Sequence, residues 1–449
     1  MPQQSEINRL GMELNKLTQG QIPGFFDKNF WFGKVIDWVM KDPSFKTDLF
    51  HFVDVLPTLD SSAKVANHIS EYLLKSDRQL PAVIGAALRI ASAGVTSSLG
   101  AKAMRKNVEQ IAQRFIVGAT GEAAIPVLQN LHKEGIGFTA DLLGEATLSE
   151  KDALEYQQKY LNLIEQLALE CKKWPSNDIL NRNAFGALPT ANVSLKITAM
   201  DSQLSCIDPK GGVERLLKKA LPIFLKAKEL NTFINVDLEQ WSNHEITYQL
   251  FSEVLEHAEL KNWPHVGIVI QAYLPSAIDD LNMIYSLAQK RNTPITVRLV
   301  KGAYWDYEVV NARQNGYPCP VFLTKAQSDQ NFEKLSFELL KKSDYLHAAF
   351  GSHNLRSIAY AMACAEKMGL AKNSYELQML YGMAEPERKA LVSMGHRVRV
   401  YAPVGEMLPG MAYLVRRLLE NTANSGFLRM SYHSQESIET LLQPPLPQS

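Results

Sequence analysis

The sequence predicts an α/β protein, a (β/α)8 TIM-like barrel preceded by an all-helical region. Three observations lead to this class: an N-terminal part of helical texture, eight short apolar or β-branched runs after it, and amphipathic segments between those runs. Strands that alternate with helices form parallel βα units, and eight such units close a barrel. A doubly wound sheet normally carries a nucleotide fingerprint after its first strand, and neither GxGxxG nor GxxxxGK[ST] occurs. The count of units therefore favours the barrel.

The N-terminal part of the chain has a helical pattern and no convincing strand. Asp60, Ser61 and Ser62 are typical of a helix start, because short polar side chains cap the free N–H groups of a first turn. Alanine-rich sequence with apolar residues at helical spacing fills 81–117. We predict a helical arm and linker over residues 1–130.

Eight candidate strands follow, each bounded by turn residues or by a helical segment. They are GIGFTAD from Gly135, VSLKIT from Val193, FINVDLE from Phe233, GIVIQAY from Gly267, ITVRLV from Ile295, HAAFGSH from His347, YELQML from Tyr375 and RVRVYAP from Arg397. We predict a barrel over residues 131–432 and a C-terminal tail over 433–449.

Composition excludes several classes of protein. The 47 Lys and Arg residues balance 47 Asp and Glu residues, which argues against a nucleic-acid binder that depends on a general basic field but allows a local cationic pocket. The four cysteines are far apart and form no CxxC or Cys/His cluster, so we predict reduced thiols and no metal site. The N-terminus lacks a signal peptide, and the apolar stretch from Leu80 meets Arg89 before it reaches the ~20 residues of a spanning helix. We expect a soluble, cytoplasmic protein.

Polar side chains stand near the ends of nearly all the predicted strands. Catalytic groups of a barrel lie at the C-terminal ends of its strands. A single polar residue there often satisfies only the local backbone, but the recurrence favours a polar pocket on one face. The residues are Glu145, Lys196, Asp237, Gln271, Arg298, Lys301, His353, Asn354, Gln378 and Tyr401.

The segment AYLVRRLLENTANSGFLR follows the last predicted strand. On a helix, Tyr413, Arg416, Arg417 and Glu420 share one face, because they are spaced i, i+3, i+4 and i+7. The opposite face is apolar and supplies a packing stripe. Two interpretations remain open: a solvated face with Arg–Glu pairs, or two arginines that bind a substrate carboxylate bidentately at the barrel mouth.

Five motifs appear in one order along the late strands: RLVKGAYWD from Arg298, FGSHN from Phe350, YELQMLYGM from Tyr375, YAPVGE from Tyr401 and YLVRRLLENTANSGFLR from Tyr413. In this order they resemble the proline dehydrogenase family, and most closely the proline dehydrogenase half of bifunctional proline utilization A proteins. The resemblance covers about Glu134 to Arg429. The helical first part is similar, less distinctively, to the arm and linker of those proteins.

The resemblance implies an FAD-dependent oxidation of L-proline to Δ1-pyrroline-5-carboxylate, the first step of proline catabolism to glutamate. It implies hydride transfer from proline C5 to flavin N5, a quinone as electron acceptor, and peripheral docking at the inner face of the membrane. Relatives with these motifs usually continue into an aldehyde dehydrogenase, so we expect either a stand-alone enzyme with a pyrroline-5-carboxylate dehydrogenase partner or a piece of a bifunctional protein. We expect no ribbon-helix-helix module before residue 1 and no DNA binding.

The resemblance also implies roles for individual positions. Those that match flavin contacts are Val269, Gln271, Arg298, Val300, Gly302, Ala303 and Trp305. Those that match contacts to the ribityl, pyrophosphate and adenosine groups are Lys325, His353, Asn354, Gln378 and Phe427, with Glu420 as a further cofactor neighbour. Leu323 stands where a threonine often contacts the flavin, which puts one cofactor hydrogen bond in question.

On the substrate side, the resemblance implies a carboxylate cage made of Lys196, Arg416 and Arg417, with Asp237 in the same site. The walls around the pyrrolidine ring match Tyr304, Leu380, Tyr401 and Tyr413, and Glu145 matches a residue that pairs with Arg416 over bound substrate. Two alternatives stay open. One is a barrel flavoprotein for another secondary amine such as hydroxyproline, and the other is a non-catalytic barrel that serves as a binding module.

Overall fold

The computed structural model of the chain describes residues 1–18, 44, 48, 64, 67–74, 115–144, 147, 149–406 and 438–445, and the fold is given for these residues. Within the predicted helical region it contains α1 (Gln4–Thr18), a π-helical turn (Ile69–Leu73) and α2 (Gly121–Lys133). The predicted helix start at 60–62 and nearly all of the alanine-rich stretch 81–117 lie outside the described residues.

Eight parallel strands close into a barrel, as predicted. Each barrel strand pairs with the next one along the chain, and the last pairs with the first. The barrel strands are β1 (Ile136–Leu142), β4 (Asn192–Leu195), β5 (Phe233–Val236), β6 (Val266–Gln271), β7 (Ile295–Val300), β8 (Leu346–Gly351), β9 (Tyr375–Leu380) and β10 (Val398–Val404). The two-residue strands β2 (Arg182–Asn183) and β3 (Gly186–Ala187) form a separate antiparallel hairpin.

Helices connect the barrel strands on the outside. They are α3 (Glu150–Cys171), α4 (Pro209–Glu229), α5 (His244–Glu256), α6 (Ala277–Arg291), α7 (Trp305–Asn315), α8 (Lys325–Lys341), α9 (Leu355–Lys367) and α10 (Glu385–Ser393), with α11 (Ile438–Leu441) near the C-terminus. The sequence marks their starts: Ser149 and Thr324 form capping boxes with Asp152 and Gln327. Both α7 and α8 lie between β7 and β8.

Alternation along each strand separates an apolar shell from a polar barrel interior. In β7, Ile295, Val297 and Leu299 are buried in the apolar core that the barrel shares with its helices. Arg298 and Val300 face inward, where they line a cavity. Successive side chains of a strand point to opposite faces, so the same rule sends Lys196 and Tyr401 inward at the ends of their strands. This alternation explains why polar residues recur at the strand ends.

An ion pair lies inside the barrel between β9 and β10. Arg399 donates to both carboxylate oxygens of Glu376, at 2.9 and 3.1 Å, and also to the Phe138 carbonyl at 2.7 Å. Burial alone would raise the pKa of Glu376, but Arg399 outweighs it and lowers that pKa to about 2. Glu376 in turn accepts a hydrogen bond from Gln378, which lines the cavity above. The pair therefore supports the floor of the pocket.

Helix α1 packs on the outside of the barrel against α9 and α10. Leu442, from the segment after α11, is fully buried beside Gly11, where a β-carbon would overlap the leucine side chain. Arg356 of α9 donates to the Gln4 side chain at 2.9 Å and to the Leu442 carbonyl at 2.5 Å. Residues near the two ends of the chain thus meet on one barrel helix. Among the described helices, none is both long and apolar enough to cross a membrane.

Candidate active site

A cavity of about 240 Å³ opens at the C-terminal ends of the barrel strands. Its lining brings together most of the described residues that the sequence singled out. Those that line it are Lys196, Asp237, Val269, Gln271, Arg298, Val300, Lys301, Gly302, Ala303, Tyr304, His353, Asn354, Gln378, Leu380 and Tyr401. The strand ends supply this set because the barrel turns alternate side chains inward.

Other residues that the sequence predicted do not line this cavity, or lie outside the described residues. Trp305 begins α7 and is 37% exposed, and its indole N–H donates to the Phe322 carbonyl at 2.7 Å. Lys325 begins α8 and binds Asp329 at 2.6 Å. Leu323 is exposed, as its place in the connection between these helices allows. Outside the described residues lie Glu145, Tyr413, Arg416, Arg417, Glu420 and Phe427.

Lys196 is the cation at the end of β4. Its ammonium group contacts Asp141 of β1, donates to the Tyr401 hydroxyl at 2.9 Å, and lies 3.8 Å from Asp237. Its backbone N–H donates to the buried Tyr160 hydroxyl at 3.2 Å, which holds the strand end against α3. The charged end of Lys196 is thus confined between three side chains from three strands.

Asp237 is the centre of a second set of contacts, at the end of β5. It accepts from Arg298 at 2.6 Å on one oxygen and from the Tyr401 hydroxyl at 2.6 Å on the other. Arg298 also donates to Ser194 at 3.2 Å. Its guanidinium carbon lies 5.3 Å from the centre of the Tyr401 ring, and Lys196 Nζ lies 5.5 Å from it. Tyr401 therefore lies between two cations, hydrogen-bonded directly to Lys196 and linked to Arg298 through Asp237.

Burial and neighbouring charges shift the pKa values of the ionisable groups in this pocket in opposite directions. Burial alone would lower the pKa of Lys196, but Asp141 and Asp237 outweigh it and raise that pKa, so the ammonium stays charged. Burial raises the pKa of Asp141 against the opposing effect of Lys196. Burial also raises the pKa of Glu239, whose two oxygens accept from the Thr198 hydroxyl at 2.9 and 2.8 Å. The pocket holds a charged lysine among carboxylates that are costly to ionise.

The segments that follow β7 and β8 line another side of the cavity opening, and the segment after β7 packs closely against Tyr273. Gly302 has φ +123°, and a β-carbon there would lie 2.5 Å from the Tyr273 ring, so only glycine fits. The Leu380 N–H donates to His353 Nε2 at 2.9 Å, which places the proton of a neutral His353 ring on Nδ1. Asn354 caps α9 by accepting from the Ser357 N–H at 2.9 Å.

Two lysines share one carboxylate next to the mouth. Lys301 Nζ lies 2.5 Å and Lys325 Nζ 2.6 Å from the two oxygens of Asp329. Burial lowers the pKa of Lys301 to about 8, with Asp329 opposing the shift. Because two lysines face one carboxylate, this edge of the site has an excess of positive charge when both are protonated, which suits an anionic group.

Sequence reasoning missed two carboxylates and a hydroxyl of this site. Asp141 lies in β1 directly opposite Ser194 of β4, and both are fully buried. Glu239 lies two residues after Asp237. Strand alternation could have found Asp141, because it falls on the inward-facing side of GIGFTAD, but the strand-end rule passed over it in favour of Glu145.

Comparison with known proteins gives two family matches. The family model described as proline dehydrogenase matches residues 124–430, and that described as the proline utilization A N-terminal domain matches residues 4–115. The proline dehydrogenase of Deinococcus radiodurans is 30% identical over 324 residues, which cover 72% of this chain and 90% of that protein. The bifunctional protein PutA of Escherichia coli is 28% identical over 358 residues, which cover 77% of this chain and 26% of that protein.

Similarity to solved structures extends over almost the whole chain. Among them is proline utilization A from Bdellovibrio bacteriovorus, inactivated by N-propargylglycine, with a TM-score of 0.90 and 43% identity. The match covers 98% of this chain and 44% of that one. The chain thus spans about a quarter of the Escherichia coli relative and less than half of the solved relative.

Proposed function

This chain belongs to the proline dehydrogenase family, and from that premise we propose that it oxidises L-proline to Δ1-pyrroline-5-carboxylate with FAD as cofactor. One observation carries the proposal: the network that joins Lys196, Tyr401, Asp237 and Arg298 at the barrel mouth. In this proposal the charged lysine and the aromatic wall serve the substrate, and the arginine serves the cofactor. These are the residue types that an amino-acid carboxylate, a saturated ring and a redox cofactor require.

In the proposed substrate site, cations bind the carboxylate of proline and large side chains contact its ring. Lys196 binds the carboxylate together with Arg416 and Arg417, since a charged hydrogen bond to a carboxylate is about twice as strong as a neutral one. Tyr401 and Leu380 line the described cavity and form ring walls. In the same proposal Tyr304 and Tyr413 complete the walls, and Glu145 pairs with Arg416 over the substrate.

The residues present fit FAD. Arg298 lines the cavity, and its buried Nε has no hydrogen-bond partner among the described residues, so one donor there is available to a ligand. Gly302 keeps backbone close to the mouth, and the cations around Asp329 suit phosphates. The residues proposed to hold the isoalloxazine are Val269, Gln271, Arg298, Val300, Gly302, Ala303 and Trp305. Those proposed for the rest of the cofactor are Lys325, His353, Asn354, Gln378, Glu420 and Phe427.

When bound by the residues named above, FAD would supply a two-electron acceptor for the hydride from proline C5. The protein's contribution is to position and to stabilise charge. Lys196 and the arginines hold the carboxylate so that the ring carbon has one orientation, and fixing two reactants in this way can supply about 7–11 kcal/mol of the barrier. Arg298, which lines the cavity, would supply the positive charge that stabilises negative charge on a reduced cofactor. We assign no general base, and the amine loses its proton to solvent in this proposal.

The proposed electron acceptor is a quinone, reached by peripheral docking at the inner face of the membrane. The proposed consumer of the product is a pyrroline-5-carboxylate dehydrogenase, either as a separate partner or as a further domain. The bifunctional relatives support the second part of this proposal by their names.

Identification of the product tests the proposed function. The purified protein is incubated with L-proline and a soluble quinone, and a product two hydrogens lighter than proline is expected by mass spectrometry. In parallel assays, kcat/KM for L-proline should exceed that for trans-4-hydroxy-L-proline, because the added hydroxyl meets the Tyr401 wall. Preference for hydroxyproline would move the function to another secondary amine. A colourless protein that takes up no FAD would favour the non-catalytic barrel.

A further inference from the structure

The nearest partner of the pocket lysine is a carboxylate on β1. Asp141 is completely buried, and one of its oxygens contacts Lys196 Nζ. Its other oxygen has no hydrogen-bond partner among the described residues. Lys196 itself is only 14% exposed. Among the described residues, Lys196 is therefore the cation with which Asp141 pairs.

Asp237 is less suited to hold Lys196, although it lies in the same pocket. Its two oxygens are already taken by Arg298 and by the Tyr401 hydroxyl, each at 2.6 Å. Lys196 Nζ is 3.8 Å from the nearer oxygen, beyond hydrogen-bond distance. Without Asp141, the lysine would keep one hydrogen bond at 2.9 Å, to Tyr401. A four-carbon side chain with a single neutral partner has many rotamers of similar energy.

We propose that Asp141 is a positioning residue for the oxidation of L-proline, which fixes the Lys196 ammonium at the end of β4 before the substrate carboxylate arrives. The inference rests on the proposed function, because it needs Lys196 to contact that carboxylate. Asp141 itself does not touch substrate in this scheme. It acts through Lys196, which lines the cavity while Asp141 does not.

The sign of the effect separates positioning from simple charge. Asp141 is an anion near the place where an anionic substrate group binds, so as a bystander it would weaken binding, and its removal would lower KM. As the anchor of Lys196 it strengthens binding, and its removal raises KM. It also favours the charged form of Lys196, so its removal should lower the pKa of the lysine. The ionisable groups around Lys196 are Asp141, Tyr160, Asp237, Glu239 and Tyr401. Arg298 contacts two of them, Asp237 and the Tyr401 ring.

The test compares Asp141→Asn with the wild-type FAD-loaded enzyme over a range of pH. We expect KM for L-proline to rise about tenfold or more with kcat within about threefold, since the loss falls on binding. The alkaline limb of log(kcat/KM) against pH should move to lower pH by about one unit, as Lys196 loses the carboxylate that keeps it charged. The dissociation constant of the ring-oxygen analogue of proline, followed by the flavin spectrum, should rise in step with KM.

Two further variants make the result specific. Asp201→Asn removes a buried carboxylate that binds Arg215 at 2.9 Å and does not line the cavity, and its KM should stay within about twofold of wild type. In a Lys196→Met background, Asp141→Asn should add no further change in KM, because the residue acts through the lysine.

Three outcomes overturn the inference. They are an unchanged or lower KM in Asp141→Asn, an unmoved alkaline limb, or an effect that persists in the Lys196→Met background. If Asp141→Asn does not fold or hold FAD, Asp141→Glu decides: it keeps the charge but displaces it by one methylene, so KM should rise several-fold with the alkaline limb unmoved, and an unchanged KM overturns the inference. A wild-type enzyme that leaves L-proline unoxidised removes the proposed function and this inference together. If only the variants fail these expectations, the proposed function stands.

Discussion

At the scale of single residues, the Tyr401 hydroxyl belongs to the hydrogen-bond chain that links Lys196 to Arg298 in the pocket. It accepts from Lys196 at 2.9 Å and donates to Asp237 at 2.6 Å, and Asp237 accepts from Arg298. A hydrogen bond to a charged group contributes about 1.5–3 kcal/mol, more than most neutral ones. One hydroxyl therefore couples the position of Lys196, through Asp237, to that of Arg298.

Tyr401→Phe keeps the ring and removes that hydroxyl. We expect KM for L-proline to rise about tenfold, because Lys196 and Asp237 each lose a partner, while the apolar wall remains. Steady-state kinetics with L-proline measure the change. Tyr285→Phe is the matched control, since Tyr285 donates to Asp344 at 2.9 Å on the protein surface, and it should leave KM unchanged. An unaltered KM in Tyr401→Phe would show that the hydroxyl does not organise the site.

Arg417→Met tests the proposed carboxylate cage at a position that lies outside the described residues. Loss of a charged contact to a buried carboxylate typically costs about 2–5 kcal/mol, so KM for L-proline should rise more than about tenfold while FAD stays bound. Kinetics give the KM and the visible spectrum gives the flavin content. Arg313→Met, on an exposed position of α7, is the control. A rise smaller than about tenfold would remove Arg417 from the cage.

At the scale of secondary-structure elements, β9 and β10 are joined inside the barrel by the pair of Glu376 and Arg399 as well as by their backbones. Both side chains are at most 6% exposed. Breaking a buried pair leaves an uncompensated charge, which typically costs about 3–5 kcal/mol. Exposed pairs contribute far less.

Glu376→Gln should therefore lower the free energy of unfolding by about 3 kcal/mol at neutral pH, measured by chemical denaturation. The pKa of Glu376 is depressed to about 2, so its stabilising effect is present above the unfolded value near 4.5 and is lost as pH falls towards 2. The difference between wild type and variant should shrink over that window. Glu170→Gln breaks an exposed pair with Lys173 and should cost less than about 1 kcal/mol. Equal effects of the two changes would contradict the assignment.

Helix α10 contains a buried carboxylate with the opposite behaviour. Glu387 is 2% exposed, and neither carboxylate oxygen has a hydrogen-bond partner among the described residues. Burial raises its pKa to about 7. Below the unfolded-state pKa near 4.5, Glu387 is neutral in both states and does not reduce the free energy of unfolding. As pH rises from there through 7, only the folded state resists ionisation, so the free energy of unfolding falls.

Glu387→Gln should for that reason stabilise the protein by about 2 kcal/mol above pH 7, with the gain fading as pH falls towards 4.5. Thermal unfolding at several pH values measures this. Glu385→Gln, at an exposed position of the same helix, should give no such pH-dependent gain. Destabilisation by Glu387→Gln at high pH would mean that the ionised carboxylate makes a stabilising contact in the folded protein.

At the scale of the whole molecule, the barrel followed from the sequence because its signals are local. All eight predicted runs form barrel strands, and ITVRLV does so over its full length, 295–300. Alternation within those runs also brought Lys196, Asp237, Arg298 and Tyr401 into one cavity. The roles given to these residues, and the domain boundaries at 130 and 432, stay predictions.

What the sequence did not predict depends on contacts between distant positions. Asp141 and Lys196 are in contact because β1 pairs with β4 in the closed barrel, and no local sequence pattern predicts that contact. Gln4 and Leu442 meet on Arg356 although 438 residues separate them. Long-range pairs of this kind follow from the closed topology and not from periodicity or caps.

The absorbance spectrum of the purified protein, recorded without oxygen before and after addition of L-proline, tests whether L-proline reduces a bound flavin. The proposed function predicts a visible flavin spectrum that bleaches when L-proline is added and returns when an oxidised quinone follows. A flavin spectrum that L-proline leaves unchanged would contradict it.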